Sequence, residues 1–71
     1  MKIDFYHEVE VKEGARNSKY VKSKGLVLGI SEENGVIYGY AVAIYGKENT
    51  VYFEKDNLAP TGIVYQREDF Y

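Results

Sequence analysis

Residues 26–45, which decide the fold, read Leu-Val-Leu-Gly-Ile-Ser-Glu-Glu-Asn-Gly-Val-Ile-Tyr-Gly-Tyr-Ala-Val-Ala-Ile-Tyr. Asn34 and Gly35 divide this stretch into two apolar runs. Both residue types tolerate the positive φ angles that a type I′ turn requires, and this turn joins antiparallel strands. The stretch therefore predicts a β-hairpin with strands over residues 26–30 and 36–45.

Bulky and small residues alternate along the second strand of this hairpin. The small ones are Gly39, Ala41 and Ala43, so the bulky face is expected to meet the core, and the small face to let another backbone approach. In the first strand, Gly29 is typical of a bulge, which would turn Val27 inward instead of Leu28. The bulky positions of the second strand are Val36, Tyr38, Tyr40, Val42 and Ile44.

Three further segments have the composition of short strands. Residues 5–12 alternate with period two, which indicates a half-buried strand. Residues 50–54 and 61–65 predict two more strands. Residues 13–24 lack an apolar period and are expected to form a loop with one helical turn near residues 18–22.

Five short strands in this order predict one all-β domain over residues 1–71, a small five-stranded antiparallel SH3-like barrel. Closure of a barrel limits the exposed edges that would otherwise invite aggregation. Residues 55–60 are expected to form a 3₁₀ turn that docks through Leu58. The expected core consists of Val9, Val11, Leu28, Ile30, Tyr40, Val42, Ile44, Phe53 and Leu58.

Composition narrows the class of protein. The 71 residues include no cysteine, 9 basic and 11 acidic residues, giving a net charge of −2, and eight tyrosines. Such a balance makes nucleic acid an unlikely partner, because dedicated nucleic-acid binders are usually strongly basic. Without cysteine, neither a disulfide nor a thiolate metal site can form. No apolar run resembles a signal peptide or a membrane helix, so we expect a cytoplasmic protein without membrane contact.

No group of residues has the pattern of a catalytic centre. His7 is the only histidine; it shares a face with Phe5, Val9 and Val11, and we interpret it as structural. The serines lack a nucleophile elbow, and acid pairs such as Glu32 and Glu33 are expected to stay solvated and ionised. We therefore predict no enzyme activity, no catalytic residues, no cofactor and no metal.

Basic residues gather around the first loop, with Tyr20 among them. Such a mixture of cations and an aromatic ring occurs in nucleic-acid modules. It leaves open an alternative, a KOW- or SH3-like module that binds RNA or a ribosomal partner. The basic residues are Lys12, Arg16, Lys19, Lys22 and Lys24.

Five segments carry a resemblance to a known family. They are residues 5–11 (Phe-Tyr-His-Glu-Val-Glu-Val), 24–33 (Lys-Gly-Leu-Val-Leu-Gly-Ile-Ser-Glu-Glu), 38–42 (Tyr-Gly-Tyr-Ala-Val), 58–62 (Leu-Ala-Pro-Thr-Gly) and 67–71 (Arg-Glu-Asp-Phe-Tyr). Their order and spacing resemble the immunity protein 31 family of bacterial polymorphic toxin systems.

This resemblance implies a cytoplasmic antidote, made beside a toxin gene, that binds a cognate toxin protein and neutralises it. It brings no catalytic or established binding residues to this chain. Asn57 stands where the resemblance implies a second acid before Leu58, which weakens the case that an acidic motif is required there. The oligomeric state and the chemistry of the toxin stay open.

The alternation of the strands also indicates a surface for this partner. Outward positions of the first, third and fourth strands carry tyrosines, which offer large contact areas at low entropic cost. Carboxylates between them would steer a basic partner. The predicted partner-binding residues are Tyr6, Glu8, Glu10, Tyr45, Tyr52 and Glu54.

Overall fold

The computed structural model describes residues 3–14 and 18–66. The all-β prediction is confirmed, because these residues form five strands and two short 3₁₀ turns, Ser18–Tyr20 and Lys55–Asn57, and no α-helix. Within the described ranges, no helix has the length and apolar character needed to cross a membrane. The strands are β1 (His7–Val11), β2 (Lys24–Glu33), β3 (Val36–Ile44), β4 (Thr50–Glu54) and β5 (Leu58–Val64).

The five strands form one sheet in the order β4-β3-β2-β1-β5, with every neighbouring pair antiparallel. The two edge strands are joined only by the turn Lys55–Asn57. A flat sheet would hold its edges about 19 Å apart, whereas a 3₁₀ turn rises only about 2 Å per residue. The sheet must therefore curl. No ladder joins β4 to β5 among the described residues, so the sheet is open and its closure into an SH3-like barrel stays a prediction.

The core lies on the inner face of this curled sheet. All five strands contribute to it, and Ile3, which the sequence did not mark, joins it from the N-terminal side. Tyr20 packs edge-on against Phe53, with 5.9 Å between the ring centroids. Ile30 is only partly buried but packs against the cluster. The buried members are Ile3, Val9, Val11, Val27, Tyr40, Val42, Ile44, Phe53 and Leu58.

The turn between β2 and β3 has the predicted position and conformation. Asn34 has φ of 54° and Gly35 has φ of 80°, so both central residues are left-handed, as a type I′ turn requires. Glu33 and Val36 pair directly on either side of it. The hairpin prediction is confirmed.

A bulge in β2 reverses the predicted orientation of Leu28. Val27 pairs with Val42 and Gly29 pairs with Ala41, so Leu28 is the extra residue between two consecutive pairs. Val27 is consequently 0% exposed and lies in the core, whereas Leu28 is 44% exposed. The prediction that Leu28 belongs to the core is therefore wrong, and the alternative, that a bulge at Gly29 turns Val27 inward, is confirmed.

A second irregularity affects the start of β3. Ser31 pairs with Gly39 and Glu32 pairs with Ile37, so Tyr38 is an extra residue of β3 with no paired residue on β2. Tyr38 is exposed, and Ile37 packs against the core in its place. Val36, next to the turn, is also exposed. The predicted inward orientation of Val36 and Tyr38 is therefore wrong.

Candidate functional site

The outer face of the sheet, opposite the core, carries most of the predicted partner-binding residues. Glu8 pairs with Leu26 across β1 and β2, while Tyr52 pairs with Ala41 across β3 and β4. Glu54 pairs with Gly39 on the same face. The period-two pattern thus brings these side chains to one side of the molecule, as predicted from the sequence.

Glu8 is on the predicted face but is covered instead of exposed, with only 6% of its surface accessible. The Tyr45 hydroxyl donates a 2.8 Å hydrogen bond to Glu8 Oε2. The Thr61 hydroxyl donates a 2.8 Å hydrogen bond to Glu8 Oε1. Each carboxylate oxygen therefore has a donor, which is what a buried carboxylate needs to be tolerated.

These donors keep Glu8 ionised. The hydrogen bond from Thr61, the hydrogen bond from Tyr45 and the nearby Lys24 ammonium together lower the pKa of Glu8 against the opposing effect of burial. The pKa of Tyr45 is raised by burial of its hydroxyl and by the Glu8 carboxylate. At neutral pH the pair is therefore a carboxylate that accepts a hydrogen bond from a neutral phenol.

The third member of this cluster is positioned by an irregularity in β5. Three residues of β5, from Thr61 to Ile63, lie opposite the single residue Glu8 of β1. Such a bulge re-aims side chains, and here the Thr61 hydroxyl meets the carboxylate. The Ile63 amide donates to Thr61 Oγ1 at 3.4 Å, which supports this orientation.

An apolar groove of about 380 Å³ lies beside Tyr45 on the outer face. Ala43 leaves room there because its side chain is small, while Leu28 and Tyr45 are about half exposed at the sides. Leu26 is buried, although it does not belong to the core cluster. The groove is lined by Tyr6, Leu26, Leu28, Ala43, Ile44, Tyr45 and Gly46.

Tyr52 of β4 adds a second exposed ring to the same outer face. It is 51% exposed, and its ring lies against Gly39, where any Cβ would collide with the phenol and with the Phe53 carbonyl. The small face of β3 therefore lets the neighbouring β4 backbone approach closely, as the sequence suggested, and it admits an aromatic side chain as well. Aromatic cover of a glycine is a known way to stabilise a strand that lacks a side chain.

Of the remaining predicted residues, Tyr6 lies at the groove and Glu10 lies elsewhere on β1. Tyr6 lines the groove and has φ of 63°, while its amide donates to the Val27 carbonyl at 2.9 Å. Glu10 is half-buried on β1 between Lys24 and Ala59. The structure thus places Tyr6 and Tyr45 at the groove, with Glu8 hydrogen-bonded to Tyr45. The other predicted residues lie along the same face.

Sequence reasoning missed Thr61, Leu26 and Leu28. Thr61 gave no local signal, because its role depends on a bulge opposite a residue 53 positions away. Leu26 stands in the sequence only as one member of an apolar run, with no feature that indicates a groove. For Leu28, the neighbouring Gly29 was the available signal, since it indicated the bulge.

The basic first loop is only partly described. Lys19 Nζ lies 5.1 Å from the centroid of the Tyr20 ring, and this ring stands at right angles to the ring of Phe53. Lys12, Lys22 and Lys24 are exposed. Arg16 and the tail at residues 67–71 lie outside the described residues.

The described residues contain no group of three or more histidine, cysteine or acidic side chains that could hold a metal ion. Among them, every buried side-chain nitrogen and oxygen has a hydrogen-bond partner. His7 is half-buried and pairs with Val64 of the edge strand β5.

Comparisons with protein-family models, with curated proteins and with solved structures give no match to this chain.

Proposed function

We propose that this chain is a cytoplasmic immunity protein that binds a cognate bacterial polymorphic toxin domain and neutralises it. The observation that carries the proposal is the open, tyrosine-bearing groove beside Tyr45, together with the exposed Tyr52 ring on the same outer face. The family resemblance of the five sequence segments supplies the class of partner. We also propose that the curled sheet belongs to the SH3-like barrels.

The surface chemistry supports a protein partner. Tyr45 and Tyr52 are about half exposed although both are large aromatic residues, and rings of this kind provide contact energy at interfaces. Glu10 and Glu54 lie on the same face as these tyrosines. Carboxylates at the margin of an apolar contact speed association with a basic partner more than they tighten binding.

The RNA-binding alternative receives less support. An aromatic ring that stacks on bases needs an open face. Tyr20 instead has the Lys19 ammonium over one face of its ring and makes a T-shaped contact with Phe53. The only aromatic residue of the basic loop is therefore engaged within the protein itself.

Co-expression tests the proposed function. The chain should restore growth to cells that produce the toxin domain encoded beside it, and the two proteins should co-purify as a complex. A double Tyr45→Ala/Tyr52→Ala variant should lose protection, whereas the control Asp56→Asn, at an exposed position of the turn between β4 and β5, should retain it. A folded parent chain that neither protects nor binds contradicts the proposal. Salt-sensitive binding of mixed RNA by the same protein would support the alternative.

A further inference from the structure

We infer that Glu8 is a positioning residue for the proposed partner site: its carboxylate holds the Tyr45 ring in place as one wall of the groove. This inference rests on the proposed function for its consequence in binding. The claim that Glu8 orders the Tyr45 ring concerns the free protein alone. It assigns Glu8 a different role from the direct, exposed contact that the sequence predicted.

The backbone of Tyr45 is fixed by its place at the end of β3, whereas its ring is held in position through hydrogen bonds at the hydroxyl. The Tyr45 amide donates to the Lys24 carbonyl at 3.0 Å, and β3 ends at the preceding residue. Gly46 follows with φ of 82°, so the chain turns away immediately. The ring is 46% exposed. Its hydroxyl reaches across β2 to Glu8, and Tyr65 adds a further hydrogen bond at the same hydroxyl.

Glu8 is itself held rigidly enough to serve as an anchor. Its second oxygen accepts the hydroxyl of Thr61, and Lys24 of β2 is the cation that faces it. A buried carboxylate cannot exchange such partners for water without first becoming exposed. One anion thus connects the end of β3 with the edge strand β5, which are not neighbours in the sheet.

The consequence for binding is preorganisation. A ring that is already immobilised loses little rotamer freedom when a partner covers it. Releasing the ring should weaken binding about three- to tenfold, the range expected for ordering one side chain. Removing the ring altogether should weaken binding more, because the contact area is then lost as well.

The experiment uses hydroxyl and carboxylate variants of the full chain. Tyr45→Phe removes the hydroxyl and keeps the ring, and Tyr38→Phe is its control at a tyrosine of similar exposure outside the proposed site. Glu8→Leu removes both acceptors, and such a replacement of a buried charge by an apolar residue is often tolerated. Glu8→Gln retains one carbonyl acceptor and serves as the conservative rescue. NMR relaxation of the Tyr45 ring carbons reports ring order in the free protein.

We expect Glu8→Leu to increase ring motion at Tyr45, and Glu8→Gln to restore part of the order. Tyr45→Phe should increase motion of ring 45 and weaken binding of the toxin domain encoded beside this chain three- to tenfold, with Tyr38→Phe close to the parent. Combining Glu8→Leu with Tyr45→Phe should add little to either readout. A ring that stays as ordered in folded Glu8→Leu as in the parent overturns the inference. Failure of the parent to bind the toxin would instead contradict the proposed function and leave the ring measurement valid.

Discussion

The Tyr45 hydroxyl and the Glu8 carboxylate form a 2.8 Å hydrogen bond although 37 positions separate them in the chain. β2 lies between their two strands in the sheet, so the phenol crosses it on the outer face. Thr61 completes the arrangement from β5. A carboxylate that alternation would place in solvent is thereby converted into a buried junction between three strands.

Acidification should destabilise the parent protein more than the Glu8→Gln variant. The pKa of Glu8 is held below its ordinary value of 4.5 in the folded protein, so the unfolded chain binds this proton more readily. The stability that Glu8 contributes is complete above its unfolded pKa and is lost as the pH falls through the lower folded pKa. Urea unfolding at about pH 6 and about pH 3 measures the difference.

Glu48→Gln, in the exposed turn before β4, is the matched control for this pH experiment. It should follow the parent at both pH values. Equal acid-induced losses of unfolding free energy in the parent and in Glu8→Gln would contradict the structural account of Glu8.

Val27→Ala should cost far more stability than Leu28→Ala. Val27 is fully buried in the core, whereas Leu28, the extra residue of the bulge, is about half exposed. Truncating Val27 should cost about 2 kcal/mol through lost burial and a cavity, which lowers the Tm of so small a domain by roughly 10 °C. Leu28→Ala should cost less than about 1 kcal/mol. Thermal unfolding of both variants measures these two losses of stability. A larger loss for Leu28→Ala than for Val27→Ala would show that β2 has no bulge.

Gly35→Ala should destabilise the hairpin by about 1 kcal/mol through backbone strain alone. Gly35 has φ of 80°, and a Cβ built there meets no atom within 4 Å. Steric collision therefore cannot account for any loss. Ser31→Ala, at an exposed position of β2, should be neutral. Chemical denaturation measures both, and an Ala variant as stable as the parent would rule out the left-handed turn.

The sequence predicted those parts of the fold that follow from local chemistry. Asn34 and Gly35 determine the hairpin, and β4 spans the predicted residues 50–54. Local alternation fails where one strand carries an extra residue. Leu28 and Tyr38 occupy such positions, and each bulge is fixed by how two strands pair, not by either strand alone.

The candidate site shows the same limit. Period two was sufficient to bring Glu8, Tyr52 and Glu54 to one face, because side-chain direction along a strand is a local property. Burial of Glu8 was not predictable in this way. It requires a phenol 37 positions later and a hydroxyl 53 positions later, both delivered by the tertiary fold.

Tyr52→Ala should weaken binding of the toxin domain more than Glu54→Ala does. Tyr52 is an exposed ring that covers Gly39 on the same outer face as the groove, and aromatic anchors typically cost about 2 kcal/mol or more on truncation, roughly thirtyfold in Kd. Glu54 lies two residues further along β4, where a carboxylate contributes mainly to the association rate and its salt dependence. Tyr52→Phe keeps the ring and should bind within a few-fold of the parent, which separates contact area from the hydroxyl. Calorimetric titration of each variant, after circular dichroism has verified its fold, measures these effects. Parent-like affinity of a folded Tyr52→Ala would limit the contact surface to the groove beside Tyr45.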